Sequence, residues 1–280
     1  MTQAAHALTV RQALAQAGLA PLDAQVLLAH VLGVGRAWLA AHATDRIAPR
    51  DVETFFALAR RRRDGEPVAY LTGTREFFGL PLTVDPSVLI PRPETETLVE
   101  AALHLLDAGR PRRVLDLGTG SGAIALAIAH ERPRADVLGV DRSAAALAVA
   151  ARNAGRLKLA NVRWLQSDWY EHVDELAGAF DVIASNPPYV ADGDPHLAEG
   201  DVRFEPHGAL RAGPDGLSAL RVVVAGAPAR LAAGGALVVE HGFDQAEAVR
   251  ALVHAAGLEN PRSLRDLAGI PRVCVARKPS

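Results

Sequence analysis

The sequence predicts an α/β fold, a mainly parallel sheet wound with helices on both faces and preceded by a small helical domain. Three observations predict it. From Arg113 onward, short apolar runs alternate with helical stretches, the pattern of a parallel sheet covered on both sides. The first of these runs leads through the glycine-rich turn Gly118-Thr119-Gly120-Ser121-Gly122 into an alanine-rich helix. Residues 1–75, by contrast, read only as short amphipathic helices punctuated by Gly18, Gly33, Gly35 and Pro49.

In chain order, Thr9 caps a helix to Ala17, Pro21 opens one reaching about Leu32, and Asp51 begins one ending near Arg62. The run Arg60-Arg61-Arg62-Arg63 is either a contact patch for a partner's phosphates or a solvated cap where the helix macrodipole favours cations. Residues 76–95 form a hairpin linker of β-like runs broken by Gly79, Pro81, Pro86, Pro91 and Pro93. Residues 96–280 make the large domain. Its strands are expected at 113–117, 136–140, 162–166, 180–185, 235–240, near 262–266 and at 272–276. Its helices are expected at 122–131, 143–155, 216–231 and 244–256. Ligands in such sheets bind beyond the carboxyl ends of the strands. The stretch 190–215 is long for a connection and suits a lid or substrate loop.

A chain of 280 residues can hold two ordinary domains with a full core. Thirty basic against thirty-two acidic residues leave a formal charge of −2, so no global field argues for sequence-specific nucleic-acid binding. Only Lys158 and Lys278 are lysines, a bias that carries no mechanism. The single Cys274 has no disulfide partner within the chain and suits a reducing, cytoplasmic setting. Met1 to His6 lack a basic leader, and no apolar run reaches the length of a membrane span. A soluble monomer is expected. The histidines are scattered without metal-ligand spacing, so no metal site is expected.

The chemistry concentrates at strand ends. Asn186-Pro187-Pro188-Tyr189 directly follows the run Phe180 to Ser185. The Asn186 side-chain oxygen and the Pro187 carbonyl can each accept an N–H, which suits a planar nitrogen whose lone pair is delocalised and which attacks only when held in line and polarised. The prolines stiffen that backbone, and Tyr189 offers a flat face for a planar group. As an isolated match, a Pro-Pro turn ending a strand is the simpler reading; position has to decide. At the glycine turn the backbone can approach a ligand closely, with a helix N-terminus facing it. Asp141 ends the next strand, where its carboxylate can take ribose hydroxyls. Asp168 and Trp169 follow the third, placing a carboxylate and an aromatic face for an adenine ring. Singly these read as a tight turn, a helix cap and a core anchor; together they read as a nucleoside site.

Gly118, Gly120 and Ala123 also meet a loose dinucleotide pattern, so an NAD-dependent oxidoreductase is a rival of another class, and a catalytically silent nucleoside-binding protein is a third. Hydride transfer has no evident use for two amide acceptors. Glu240 and His241 also end a strand and can touch the pocket, His241 as a structural residue before a base.

Several segments resemble one family. These are Glu66 to Gly73, Phe77 to Leu80, Ile90 to Glu96, the Asp116 to Gly122 turn, Asn186 to Tyr189, and His196-Leu197 with Gly200 to Pro206. They resemble the class I S-adenosylmethionine-dependent methyltransferases, and within them the PrmC/HemK family of release factor glutamine N5-methyltransferases. The resemblance implies a Rossmann-like seven-stranded sheet with its last strand antiparallel, and a helical N-terminal domain that helps hold the protein partner. It implies S-adenosyl-L-methionine as cofactor, S-adenosyl-L-homocysteine as product, and the glutamine of the Gly-Gly-Gln motif in class I peptide chain release factors as substrate. Cofactor contacts would fall on Gly118, Thr119, Gly120, Ser121, Gly122, Asp141, Trp169 and Asn186, beside the Asp168 that the strand-end reading adds. Substrate contacts would fall on Asn186, Pro187, Pro188 and Tyr189, with Asn186, Pro187 and Tyr189 catalytic. A paralogous branch methylates a ribosomal protein on glutamine, and the Asn186 to Tyr189 and glycine motifs are shared with adenine N6-methyltransferases. Arg92 and Glu94 either order the cofactor pocket or start a helix.

Overall fold

The computed structural model describes residues 8–173 and 179–280. Met1 to His6, read above for a leader, lie outside the described residues. The chain folds as two compact units, one of Met1–Thr74 with Glu199–Phe204, the other of Arg75–Ala198 with Glu205–Ser280. The hairpin region thus groups with the larger unit.

The smaller unit holds helices α1 (Val10–Gln16), α2 (Pro21–Leu32), α3 (Arg36–Ala41), α4 (Pro49–Arg63) and α5 (Val68–Thr72). Thr9 and Gln12 form a reciprocal capping box at α1, their backbone and side-chain groups exchanging bonds of 3.2 and 2.9 Å. Leu27, Leu28, Leu39 and Phe55 are buried at its centre. α3 and α5 are too short for a periodic pattern to announce them. The arginine run is largely spoken for within the unit. Arg61 pairs with Glu66, Arg62 bonds Asp23 at 2.7 Å and Asp201 at 2.6 Å, and Arg63 donates to the Ala17 carbonyl at 2.6 Å.

The larger unit opens with a hairpin of β1 (Thr74–Phe77) and β2 (Leu80–Thr83), then α6 (Glu96–Leu105). Strands β3 (Arg113–Leu117), β4 (Asp136–Asp141), β5 (Val162–Gln166), β6 (Phe180–Ser185), β7 (Leu231–Glu240), β8 (Glu259–Arg265) and β9 (Pro271–Arg277) form one seven-stranded sheet in the order β5-β4-β3-β6-β7-β9-β8. β3 to β7 are parallel; β9 runs antiparallel to both neighbours. Between them lie α7 (Ala123–Glu131), α8 (Ala144–Leu157), α9 (Ser218–Arg230) and α10 (Ala246–Ala255).

Alternation along the strands feeds two cores. Val114 and Val238 face a cluster shared with the hairpin, α6 and α7, whereas Leu115, Leu117, Leu237 and Val239 face one built with α9 and α10. The sheet order reverses at β3, with β4 on one side and β6 on the other, which opens a crevice at the strands' carboxyl ends. No helix among the described residues is long and apolar enough to cross a membrane.

Candidate active site

A cavity of about 420 Å³ lies at that crevice, a size suited to a small-molecule ligand. Gly118 and Gly120 from the β3 turn, Asp141 ending β4, Asp168 and Trp169 after β5, and Asn186 and Pro188 after β6 all line it. Four strand ends read as separate signals thus meet in one space. Ser87, Val88 and Leu89 and parts of 206–222 complete the wall.

The glycine turn is held by backbone geometry. Gly118, Gly120 and Gly122 have φ of 71, 55 and 85°, in the left-handed region that favours glycine. At Gly122, which caps α7, a methyl group would also come within 3.0 Å of the Trp164 ring. Beneath the turn sits Asp116, buried, accepting from the Thr119 hydroxyl at 2.6 Å and the Ala125 N–H at 3.1 Å. Burial pushes its pKa up to about 7, against the pull of those two donors and with a further push from Asp141. Its Oδ1 has no protein partner, which fits a carboxyl that holds a proton. Asn153 of α8, also buried, ties the turn to the hairpin: it accepts from Thr83 N–H at 2.7 Å and donates to the carbonyls of Thr83 and Ser121, both at 3.0 Å.

Asp141 accepts Gly120 N–H on Oδ2 and Ser143 N–H on Oδ1, each at 2.9 Å. Those bonds aim the carboxylate and leave acceptor capacity on both oxygens for a vicinal diol. Trp169 takes a left-handed backbone, φ 50°, and its ring lies beside Gly118, 3.7 Å from where a methyl group would project. For a bulky residue that conformation is strained, a mark of a site where surrounding contacts dictate the backbone. Thr119, Ser121 and Gly122 do not line the cavity; Thr119 and Ser121 are buried and shape the turn from behind.

The end of the site around Asn186 is differently made. Ser185 donates to the Leu117 carbonyl at 2.8 Å, pinning β6 to β3 immediately before Asn186. The Asn186 amide nitrogen donates to Thr95 Oγ1 at 3.0 Å. Pro187 is buried and, like Tyr189, is not among the residues lining the cavity. Tyr189 packs against the α9–α10 core and donates its hydroxyl to Glu240 Oε1 at 3.2 Å, while its carbonyl accepts from Gln245 Nε2 at 2.9 Å. Glu240 is buried, and desolvation pushes its pKa up to about 7. The neighbouring His241 is buried too; its Nδ1 lies 2.8 Å from the Gly242 carbonyl, and burial lowers its pKa.

Arg92 pairs with Glu205, a buried carboxylate that also accepts Ile90 N–H at 3.4 Å. That bond joins the proline-rich segment before α6 to the segment after Tyr189, where Val190 and Arg211 form a parallel bridge. Glu94 lies in the 3-10 turn Pro93–Thr95 that runs into α6, so the segment both starts a helix and brings Thr95 to Asn186. Thr95, Asn153, Gln245 and Asp116 are the contributors that motif reading missed as individuals. Only Asp116 and Thr95 carried a signal, as members of the family-like segments.

The chain is similar to known proteins. The description "PrmC N-terminal domain" matches residues 8–73, and "Methyltransferase small domain" matches residues 95–201. A release factor glutamine methyltransferase from Bordetella pertussis is 55% identical over 264 residues, covering 94% of this chain and 97% of that one. One from Escherichia coli is 46% identical, covering 91% of each. The crystal structure of a methyltransferase from Pyrococcus furiosus shares the fold, with a TM-score of 0.54 at 17% identity over 79% of this chain and 98% of that one.

Proposed function

The chain belongs to the release factor glutamine methyltransferase family, and from that premise we propose that it transfers the methyl group of S-adenosylmethionine to the side-chain amide nitrogen, N5, of the glutamine in the Gly-Gly-Gln motif of class I peptide chain release factors. One observation carries the reading. Asn186 lines the same cavity as Gly118, Gly120, Asp141 and Trp169, and Thr95 occupies its amide nitrogen, which leaves Oδ1 as the end free to accept an N–H.

The residues fit a methyl-donor nucleoside. Asp141 has acceptor capacity for ribose hydroxyls, Trp169 gives an aromatic wall and Asp168 an acceptor for the adenine end, and the glycine turn admits close approach of the backbone. When bound, S-adenosylmethionine supplies a sulfonium methyl whose carbon–sulfur electron pair stays on sulfur, so a neutral product leaves and no general acid is needed. Asn186 Oδ1 and the Pro187 carbonyl are assigned the two N–H groups of the substrate carboxamide. Drawing on those protons raises electron density at a nitrogen that is otherwise a poor nucleophile, and two fixed acceptors hold it in line. The nitrogen loses its proton late, to water, after methylation has made it acidic, so none of these residues is asked to be a strong base. The helical unit is assigned to holding the release factor, and the enzyme to the cytoplasm in which that partner works.

The test is incubation with labelled S-adenosylmethionine and three acceptors: a release factor, a ribosomal protein and adenine-containing DNA. Label is expected on the release factor glutamine. Label on the DNA alone would overturn the substrate, label on the ribosomal protein alone would move the chain to the paralogous branch, and a thermal shift with NADH but none with S-adenosylmethionine would favour an oxidoreductase.

A further inference from the structure

We infer that Gln245 is a positioning residue for methyl transfer: its carboxamide pins the chain where it leaves the Asn186–Tyr189 motif, and so fixes the Pro187 carbonyl against the substrate nitrogen. The inference rests on the reading above, in which that carbonyl accepts one N–H of the substrate amide.

Gln245 stands immediately before α10, and three separate stretches of backbone converge on its side chain. Its Nε2 donates to the Tyr189 carbonyl at 2.9 Å and to the Gly216 carbonyl at 3.3 Å, while its Oε1 accepts the Gly242 N–H at 2.9 Å. All three partners are backbone groups. A carbonyl only accepts and a backbone N–H only donates, so the carboxamide has one orientation, with both hydrogens committed. The end of the motif, the turn before α9 and the turn after β7 are thereby locked together. Space at the junction is filled to contact: Gly216 has φ of 71°, and a methyl group there would fall 2.5 Å from the Tyr189 oxygen and 2.8 Å from Gln245 Nε2.

The lock matters because the motif is stiff between its pins. Ser185 holds its entry to the Leu117 carbonyl, and Thr95 holds the Asn186 amide. Beyond them, Pro187 and Pro188 have φ fixed by their rings, so a shift of the Tyr189 carbonyl is carried back to the Pro187 carbonyl instead of being absorbed. The bond from the Tyr189 hydroxyl to Glu240 holds the ring, not the main chain. Val190, next along, exchanges bonds of 2.9 Å with Leu210 and Ala212, but these belong to the same connection that leaves the motif. Gln245 ties that connection to the frame of the sheet, where the His241 N–H donates to the Arg272 carbonyl at 2.9 Å. The cavity wall keeps bonds of its own, such as Ser218 N–H to the Ala212 carbonyl at 3.1 Å and Gly120 N–H to Asp141. Loss of the Gln245 donors should therefore reach turnover before cofactor affinity.

The experiment measures kcat with saturating S-adenosylmethionine and release factor, S-adenosylmethionine affinity by calorimetry, and Tm, for the wild type, Gln245→Met and Gln245→Glu, with kcat taken well below each Tm. Both variants keep the side chain's length and lose both donors; only Glu keeps an acceptor for the Gly242 N–H. In both, kcat should fall by about 10²-fold, the effect of a misplacement of about 1 Å, while the cofactor dissociation constant moves only a few-fold. A kcat within a few-fold of wild type in Gln245→Glu would overturn the inference, because the donors would then be dispensable. An affinity that falls as steeply as kcat would overturn it too, as the sign of a general structural role. Should one variant not fold, the other decides. Gly216→Ala, which drives a methyl group against the same carbonyl, should reproduce the loss, and wild-type turnover in the folded Gly216→Ala protein would count equally against the inference. A wild type that methylates no release factor fails the functional reading itself, a result distinct from these.

Discussion

The two sides of the candidate site, the glycine turn with its cavity and the network behind Asn186, are built on opposite plans. The nucleoside half uses residues close in sequence, with bonds such as Thr119 to Asp116, three residues apart, and Gly120 to Asp141, twenty-one apart. Much of it is backbone, shaped by glycines at positive φ. The amide half is assembled from distant side chains: Asn186 meets Thr95 across 91 positions, Tyr189 meets Glu240 across 51, and Arg92 meets Glu205 across 113. Backbone geometry shapes the first side, whereas the second depends on polar side chains that only the fold brings together. The first half should therefore respond to mutation mainly in cofactor affinity, and the second mainly in turnover.

Replacing Asn186 by Ala breaks the comparison most sharply if it is mistaken. Turnover of release factor is expected to fall by about 10² to 10³, by analogy with loss of one aimed partner at a developing charge, while the dissociation constant for S-adenosylmethionine moves only a few-fold. Single-turnover assays beside calorimetry separate the two numbers; turnover within a few-fold of wild type would end the polarisation argument. Asp141→Ala is the mirror image. It removes a charged acceptor that Gly120 and Ser143 hold in place, so cofactor affinity should weaken by about 10- to 10²-fold, the equivalent of roughly 1.5 to 3 kcal/mol for a charged hydrogen bond. Turnover at saturating cofactor should survive. A variant that loses kcat as heavily as affinity would show that the halves are not separable.

The same contrast governs what could be read from the sequence. The parallel sheet was legible because apolar strands and helical stretches alternate, and the strands at 113–117, 162–166 and 180–185 fall where that pattern puts them. β7 begins earlier than expected, at Leu231, because Gly234 and Gly235 interrupt the apolar run without ending the strand. That Gly118, Gly120, Asp141, Asp168 and Trp169 share one cavity was legible because they follow three consecutive strands. Thr95 and Gln245 were not. A threonine before a helix and a glutamine after a strand are ordinary caps, and only the fold brings Thr95 to Asn186 and Gln245 to the Tyr189 carbonyl. Tyr189, read as a flat face for the substrate, shows the converse: its chemistry was legible, but not that its ring packs against the core and its hydroxyl is engaged by Glu240.

Behind the glycine turn stands Asn153, a buried side chain that makes three bonds to the hairpin and the turn. Asn153→Leu keeps the branched shape, with slightly more bulk, but strands a Thr83 N–H and two carbonyls. A loss of about 1 to 3 kcal/mol per unsatisfied buried group is the upper range, so thermal unfolding should shift down by several degrees. Activity at low temperature should fall less than for either site variant. If Tm is unchanged, the hairpin and turn are held by something other than this residue.

The smallest effect expected sits under the glycine turn, where stability and pH are linked. Asp116 has a pKa of about 7 in the fold against an ordinary 3.8, so between those values the folded chain binds a proton that the unfolded chain has released. The stabilisation is complete below about 4 and drains away as pH rises through 7. Raising the pH from 5 to 8 should thus lower the wild-type Tm. Glu240, raised in the same direction, adds to the fall, while His241, whose pKa is lowered by burial, opposes it because the unfolded chain holds its proton longer. Asp116→Asn isolates one contribution from that sum, since an amide at this buried position can keep an acceptor for Thr119 and Ala125 without titrating. The difference in Tm between pH 5 and pH 8 should shrink by a few degrees in the variant, and an unchanged difference would mean that Asp116 is already ionised beneath the turn throughout that range. In that case the uncompensated charge would sit directly under Gly118 and Gly120, and the cofactor affinity of Asp116→Asn, not its stability, would be the quantity that moves.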